Sequence, residues 1–193
     1  MKSLKKTIAV LVAISMLFGC VVGGTIAWLM DNTTTVTNTF TNSDVDIELS
    51  EGVDTDKDGA HSFKMIPGHT ITKDPLVTVK ADSEVCLAFV KVEELNGFSS
   101  YMTYEMADGW IALDATNNPG VYYREVAYTN ADQSFPVLKN NTVTVKNTVT
   151  KSDMDTVEAA TNKPQLKVTA YAMQLMKDNT TPFTPAQAWD ELT

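Results

Sequence analysis

Cysteine is almost missing from this 193-residue chain, which carries only Cys20 and Cys86. Cys20 falls in an N-terminal segment expected to be removed, so one thiol remains and no intramolecular disulfide can form. Histidine is equally sparse, with His61 and His69 alone. Neither belongs to an H-E-x-x-H helix, and a zinc centre would need a third ligand that the sequence does not nominate. Both read as surface histidines. No G-x-S-x-G elbow, P-loop or dinucleotide fingerprint occurs, so catalysis has no visible support and no organic cofactor is expected. Charge is absent altogether from Thr7 to Met30.

That uncharged run follows Lys2, Lys5 and Lys6. A basic head, an apolar stretch from Ile8 to Phe18 and a small-residue exit are the marks of a secretory signal peptide. The exit reads Gly23-Gly24-Thr25-Ile26-Ala27-Trp28, which places the cut after Ala27 and leaves Trp28 as the mature N-terminus. Residues 1–27 are therefore expected to be a signal peptide with a helical segment, and residues 28–193 one exported domain. Two other readings stay open. An uncharged run of this length, at about 1.5 Å per helical residue, also suffices for an uncleaved membrane anchor. Leu17-Phe18-Gly19-Cys20 resembles a lipobox, although Phe18 fits that motif poorly.

Without residues 1–27 the chain has 12 basic and 24 acidic side chains, a net charge of −12. Partners with anionic surfaces need clustered Lys and Arg, so nucleic acid and acidic membranes are excluded; membrane contact is expected only through an uncleaved signal segment. The composition suits a secreted or cell-surface protein. At this size one core suffices.

The hydrophobic pattern is β throughout. Val45, Ile47 and Leu49 alternate with Asp46, Glu48 and Ser50, as in a half-buried strand. Val85-Cys86-Leu87-Ala88-Phe89-Val90 is apolar on both alternating faces and marks Val85–Val92 as a central strand, with Cys86 packed as a small hydrophobe. Further strands are expected at Leu76–Lys80, opened by Pro75, and at Tyr101–Met106, Trp110–Leu113, Val121–Tyr128, Thr142–Val149 and Leu166–Leu175. A short helix fits Ser152–Thr161, capped by Ser152 or Asp153. A second fits Pro185–Leu192, with Thr184 as N-cap and Gln187 completing a capping box, so that Trp189 and Leu192 pin it to the sheets. The expected fold is all-β, a jelly-roll-like two-sheet antiparallel sandwich with a short C-terminal helix, preceded by a signal-peptide helix.

Two local motifs suggest binding. Asp54-Thr55-Asp56-Lys57-Asp58-Gly59 matches the first half of a calcium loop, in which alternate carboxylates converge and glycine permits the turn. A complete EF-hand is ruled out, because Met65 stands where the bidentate Glu belongs. Asp54, Asp56 and Asp58 thus need a remote carboxylate such as Glu51 or Asp44 to bind calcium; otherwise they form a solvated acidic turn. The second motif is Asn32–Ser43, with six threonines, three asparagines and no charge. Such a segment is prone to pair with another chain's sheet edge. Residues 28–43 then form an exchangeable strand, with Val36 and Phe40 entering a neighbour's groove. The other reading makes it the first strand of its own sandwich.

The exit Gly23–Trp28, then Asn38-Thr39-Phe40-Thr41-Asn42 and Val45-Asp46-Ile47-Glu48-Leu49, resembles the start of proteins with SipW-dependent signal peptides. Pro67-Gly68, Lys73-Asp74-Pro75, the Val85–Glu93 strand, Val168-Thr169-Ala170-Tyr171-Ala172 and Ala188-Trp189 are similar to the body of the TasA/camelysin family of Gram-positive bacteria. The resemblance implies a jelly-roll subunit of extracellular biofilm-matrix fibres. It also implies processing by a SipW-type signal peptidase, self-association, and related matrix proteins as partners. Some members have been classed as metallopeptidases, an activity for which this chain lacks a zinc signature. A structural fibre subunit is the expected function, with a non-polymerising surface binding module as the alternative.

Overall fold

The structure, a computed structural model, is described for residues 45–52 and 65–193. The signal peptide, the 28–43 segment and the acidic loop motif lie outside the described residues. Among those described, ten strands and three short helices follow one another: β1 (Ile47–Glu51), β2 (Thr70–Thr72), β3 (Pro75–Val79), β4 (Cys86–Leu95), α1 (Phe98–Tyr101), β5 (Met102–Met106), β6 (Ile111–Asp114), β7 (Asn118–Val126), β8 (Gln133–Pro136), β9 (Leu138–Val145), α2 (Lys151–Ala159), β10 (Gln165–Gln174) and α3 (Pro185–Leu192). Every strand pairing is antiparallel.

Where two sheets were expected, hydrogen bonding divides the strands into three, ordered β10-β4-β7-β6, β1-β3-β8 and β2-β9-β5. The extra division has a local cause. Only Lys73 and Asp74 separate β2 from β3, and only Val137 separates β8 from β9. Between the paired ends, Thr72 to Leu76 on one side and Pro136 to Thr142 on the other, the β8–β9 side carries two more residues. Asn140 and Asn141 absorb them in the left-handed region, at φ 57° and 54°. Pro75 and Pro136, at the same junction, have no N–H to give. Two backbone bonds still cross the break, Val137 N–H to Pro75 O and Lys73 N–H to Asn141 O, each 2.9 Å. The two three-stranded sheets are thus joined end to end.

β4 fixes the layering. Cys86, Ala88, Val90 and Val92, every second residue, pack with Val77 and Val79 of β3 and with Leu138, Val143 and Val145 of β9. Leu87 and Phe89 turn the other way, toward Val121 and toward Ala188 and Trp189 of α3. This two-sided burial explains a strand apolar on both faces. The Cys86 thiol is fully buried, and loss of hydration pushes its pKa up to about 11, so it stays protonated and inert.

α3 forms as the sequence predicts. The Thr184 hydroxyl accepts from Gln187 N–H at 3.3 Å, and Gln187 Oε1 accepts from Thr184 N–H at 3.1 Å. Trp189 meets Phe89 at a centroid distance of 5.5 Å and Tyr171 edge-on at 5.2 Å. α2 starts one residue earlier than expected: Thr150 is the cap, and Asp153 is its N3 partner rather than the cap itself. β2 and β8 were not expected. One has three residues, the other ends on a proline, and neither is long enough to show a period. In β7, Gly120 at φ +77° lies so close to β4 that a Cβ there would stand 2.3 Å from Val92 O.

Candidate assembly site

Most residues nominated from sequence lie outside the described residues: Ala27 and Trp28 at the cleavage site, Val36 and Phe40 of the pairing segment, Asp54, Asp56 and Asp58 of the acidic loop, and His61. Glu51, one proposed remote ligand, forms an ion pair with Lys73 at 2.7 Å. His69 is exposed in a turn, its N–H donating to Ile66 O at 3.0 Å and its carbonyl accepting from Val145 N–H at 2.9 Å. Among the described residues no group of three or more His, Cys, Asp or Glu side chains is placed to hold a metal ion. Nor does any helix among them have the length and apolarity to cross a membrane.

The sheet edges are what remains, and they differ. On one side β10 pairs with β4 along all ten of its residues, and β1 comes up alongside it. This side is laced with charge. Glu93 receives Lys167 at 3.2 Å and Lys91 at 3.3 Å, and their hydrogen bonds, Lys167 first, hold its carboxyl below the ordinary range. Glu48 of β1 bridges to Lys80, whose ammonium is stabilised above its usual pKa mainly by that bond. Charged side chains along an edge resist pairing with a foreign strand.

On the opposite side stands β6, four residues long and, among the described residues, hydrogen-bonded only to β7. Its register slips between Ala112 and Asp114. Ile111 is 55% exposed and Ala112 is exposed as well, with no charge before Asp114. Asp114 closes the following turn. Its carboxylate accepts from Thr116 N–H at 2.8 Å and from the Asn117 amide at 2.6 Å, which keeps its pKa low, the Thr116 bond contributing most.

The turn Ala107-Asp108-Gly109-Trp110 leads into β6 and is bonded to the end of β8. Trp110 is buried and its indole Nε1–H donates to Pro136 O at 2.8 Å, while Ala107 N–H donates to Val137 O at 2.9 Å. Arg124 of β7 lies here too. Its register partner Ala88 belongs to the inter-sheet core, and its neighbours Tyr122 and Val126 pack into that core as well. Arg124 is thus an inward-facing cation. Its guanidinium carbon is 3.9 Å from the Phe135 ring centroid and 5.2 Å from that of Trp110. Desolvation lowers its pKa without discharging it. Sequence reading did not single it out, yet the alternation of Val121–Val126 put it on the face of Tyr122 and Val126.

No protein-family model, no curated protein and no solved structure matches this chain.

Proposed function

We propose that the chain is an exported structural subunit of extracellular or cell-surface fibres, built by adding a strand of one copy to the sheet edge of the next. In this reading the chain is a member of the TasA/camelysin group. A SipW-type peptidase cuts between Ala27 and Trp28, and the joined three-stranded sheets together with the four-stranded sheet make a jelly-roll-like sandwich. The observation that carries the reading is the asymmetry of the sheet edges: β6 offers a short rim with Ile111 and Ala112 exposed and its one charge, Asp114, tied into the following turn, whereas the β1–β10 side carries lysine–glutamate pairs. Upstream of β1 the same chain carries Asn32–Ser43, uncharged, rich in threonine and free of proline. A head-to-tail contact of this kind does not close on itself and so propagates.

Deleting Trp28–Thr41 tests the proposal. The expected outcome is a folded protein with unchanged far-ultraviolet circular dichroism that no longer forms filaments in electron micrographs. Filaments from the deleted form would remove the donor-strand role. A full-length protein that stays monodisperse at every concentration would instead favour a surface binding module.

A further inference from the structure

Arg124 is the sole arginine of the chain. Most of the described lysines reach a carboxylate, including Lys73, Lys80, Lys91, Lys139, Lys163 and Lys167. Arg124 reaches none among the described residues, although it sits on the inner face of a sheet. Its Nε–H is buried with no hydrogen-bond partner. A buried donor left unmade is costly, and a buried guanidinium without an anion more so, unless something supplies the missing acceptor.

The surroundings hold this head group ready. The Phe135 and Trp110 rings lie 3.9 and 5.2 Å from the guanidinium carbon, and the Trp110 ring is itself anchored through Pro136 O. Gly109, at φ +89°, keeps the turn clear: a Cβ there would lie 2.7 Å from Arg124 Nη2. Arg124 as a whole is only partly buried, its Nε being the atom shut off from solvent. A planar fork is matched by a carboxylate, which accepts two parallel N–H bonds. One guanidinium neutralises one negative charge. Among the described residues Arg124 is the one cation over either ring, so a doubly charged phosphate would find no second cation there.

We infer that Arg124, with Trp110 and Phe135, is a receptor for a carboxylate on the β6–β8 side of the fold. Two sources share that chemistry: a small free carboxylate, or an acidic side chain from a second copy of this strongly acidic chain, which carries 24 Asp and Glu.

Being unique, Arg124 gives one Nε–Hε signal in a nitrogen–proton NMR spectrum of the uniformly labelled protein expressed from all 193 residues. Sodium acetate is titrated against sodium chloride at matched ionic strength, and the protein is separately diluted in chloride alone. A saturable shift of the Hε signal with acetate and none with chloride identifies a free-carboxylate receptor. A shift that follows protein concentration and is reversed by acetate identifies the second copy as the source. No response in either series, or equal responses to acetate and chloride, overturns the inference and leaves Arg124 a packing residue. In Arg124→Met the Trp110 indole signal, assigned by its loss in Trp110→Phe, is expected to lose any acetate response.

Discussion

The two lateral sides of this fold solve the same problem differently. β10, ten residues long, is paired along its whole length, flanked by β1 and lined by the Lys167–Glu93–Lys91 cluster. β6, four residues long, has an exposed Ile111 at its start, and among the described residues it pairs only with β7, while Trp110 just before it is bonded to Pro136 O and faced by Arg124. A long edge needs charge to stay unpaired. A short one can stay largely apolar, and in the proposed assembly it is the edge that takes a partner.

The largest expected effect comes from removing the Trp110 ring. Trp110→Ala takes away a buried indole just before β6 and is expected to cost about 3–5 kcal/mol of unfolding free energy in urea. Trp110→Phe keeps much of the ring but abandons the bond to Pro136 O, which leaves a carbonyl without its donor, and about 1–2 kcal/mol is expected. Equal losses for the two variants would mean that the hydrogen bond, not the filling of space, closes this side.

Acid sharpens the contrast further. Glu93 on the charged side and Asp114 at the end of β6 both have folded pKa values below their ordinary 4.5 and 3.8. Their contributions are therefore complete above those values and are lost as the pH falls through the lower folded ones. Salt separates the two. At neutral pH, raising ionic strength is expected to weaken the exposed lysine–Glu93 pairs while leaving the Asp114 turn, held by N–H donors of its own loop, nearly unchanged. Hydrogen exchange on β10 and on Thr116 as a function of salt reads each side separately.

The smallest effect on stability is expected at Ile111. Ile111→Lys alters an exposed side chain and should shift unfolding by within about 0.5 kcal/mol. It places a cation at the exposed apolar start of this rim, however, so assembly is expected to stop. Unimpaired filaments from this variant would move the docking edge elsewhere.

How far the fold was legible follows from residue period and chain length. β4 was readable because Val85 to Val90 is apolar on both faces, and α3 because Thr184, Pro185 and Gln187 spell out a helix start. The break between β8 and β9 was not, since nothing in Asn140-Asn141 announces that both residues turn left-handed while the strand continues. β2 and β8 escaped because a strand of three or four residues has no period to detect. Trp110 and Arg124 were missed as a pair because they are fourteen positions apart in sequence. Only the pairing of β6 with β7 brings them together.

The most direct measurement is hydrogen–deuterium exchange on the protein before and after concentration into filaments, resolved to β6 and β10. The account predicts that amides of Ile111–Asp114 gain protection on assembly while those of Gln165–Gln174 do not change. Protection appearing at β10 with none at β6 would contradict it, as would the absence of any assembled form to measure.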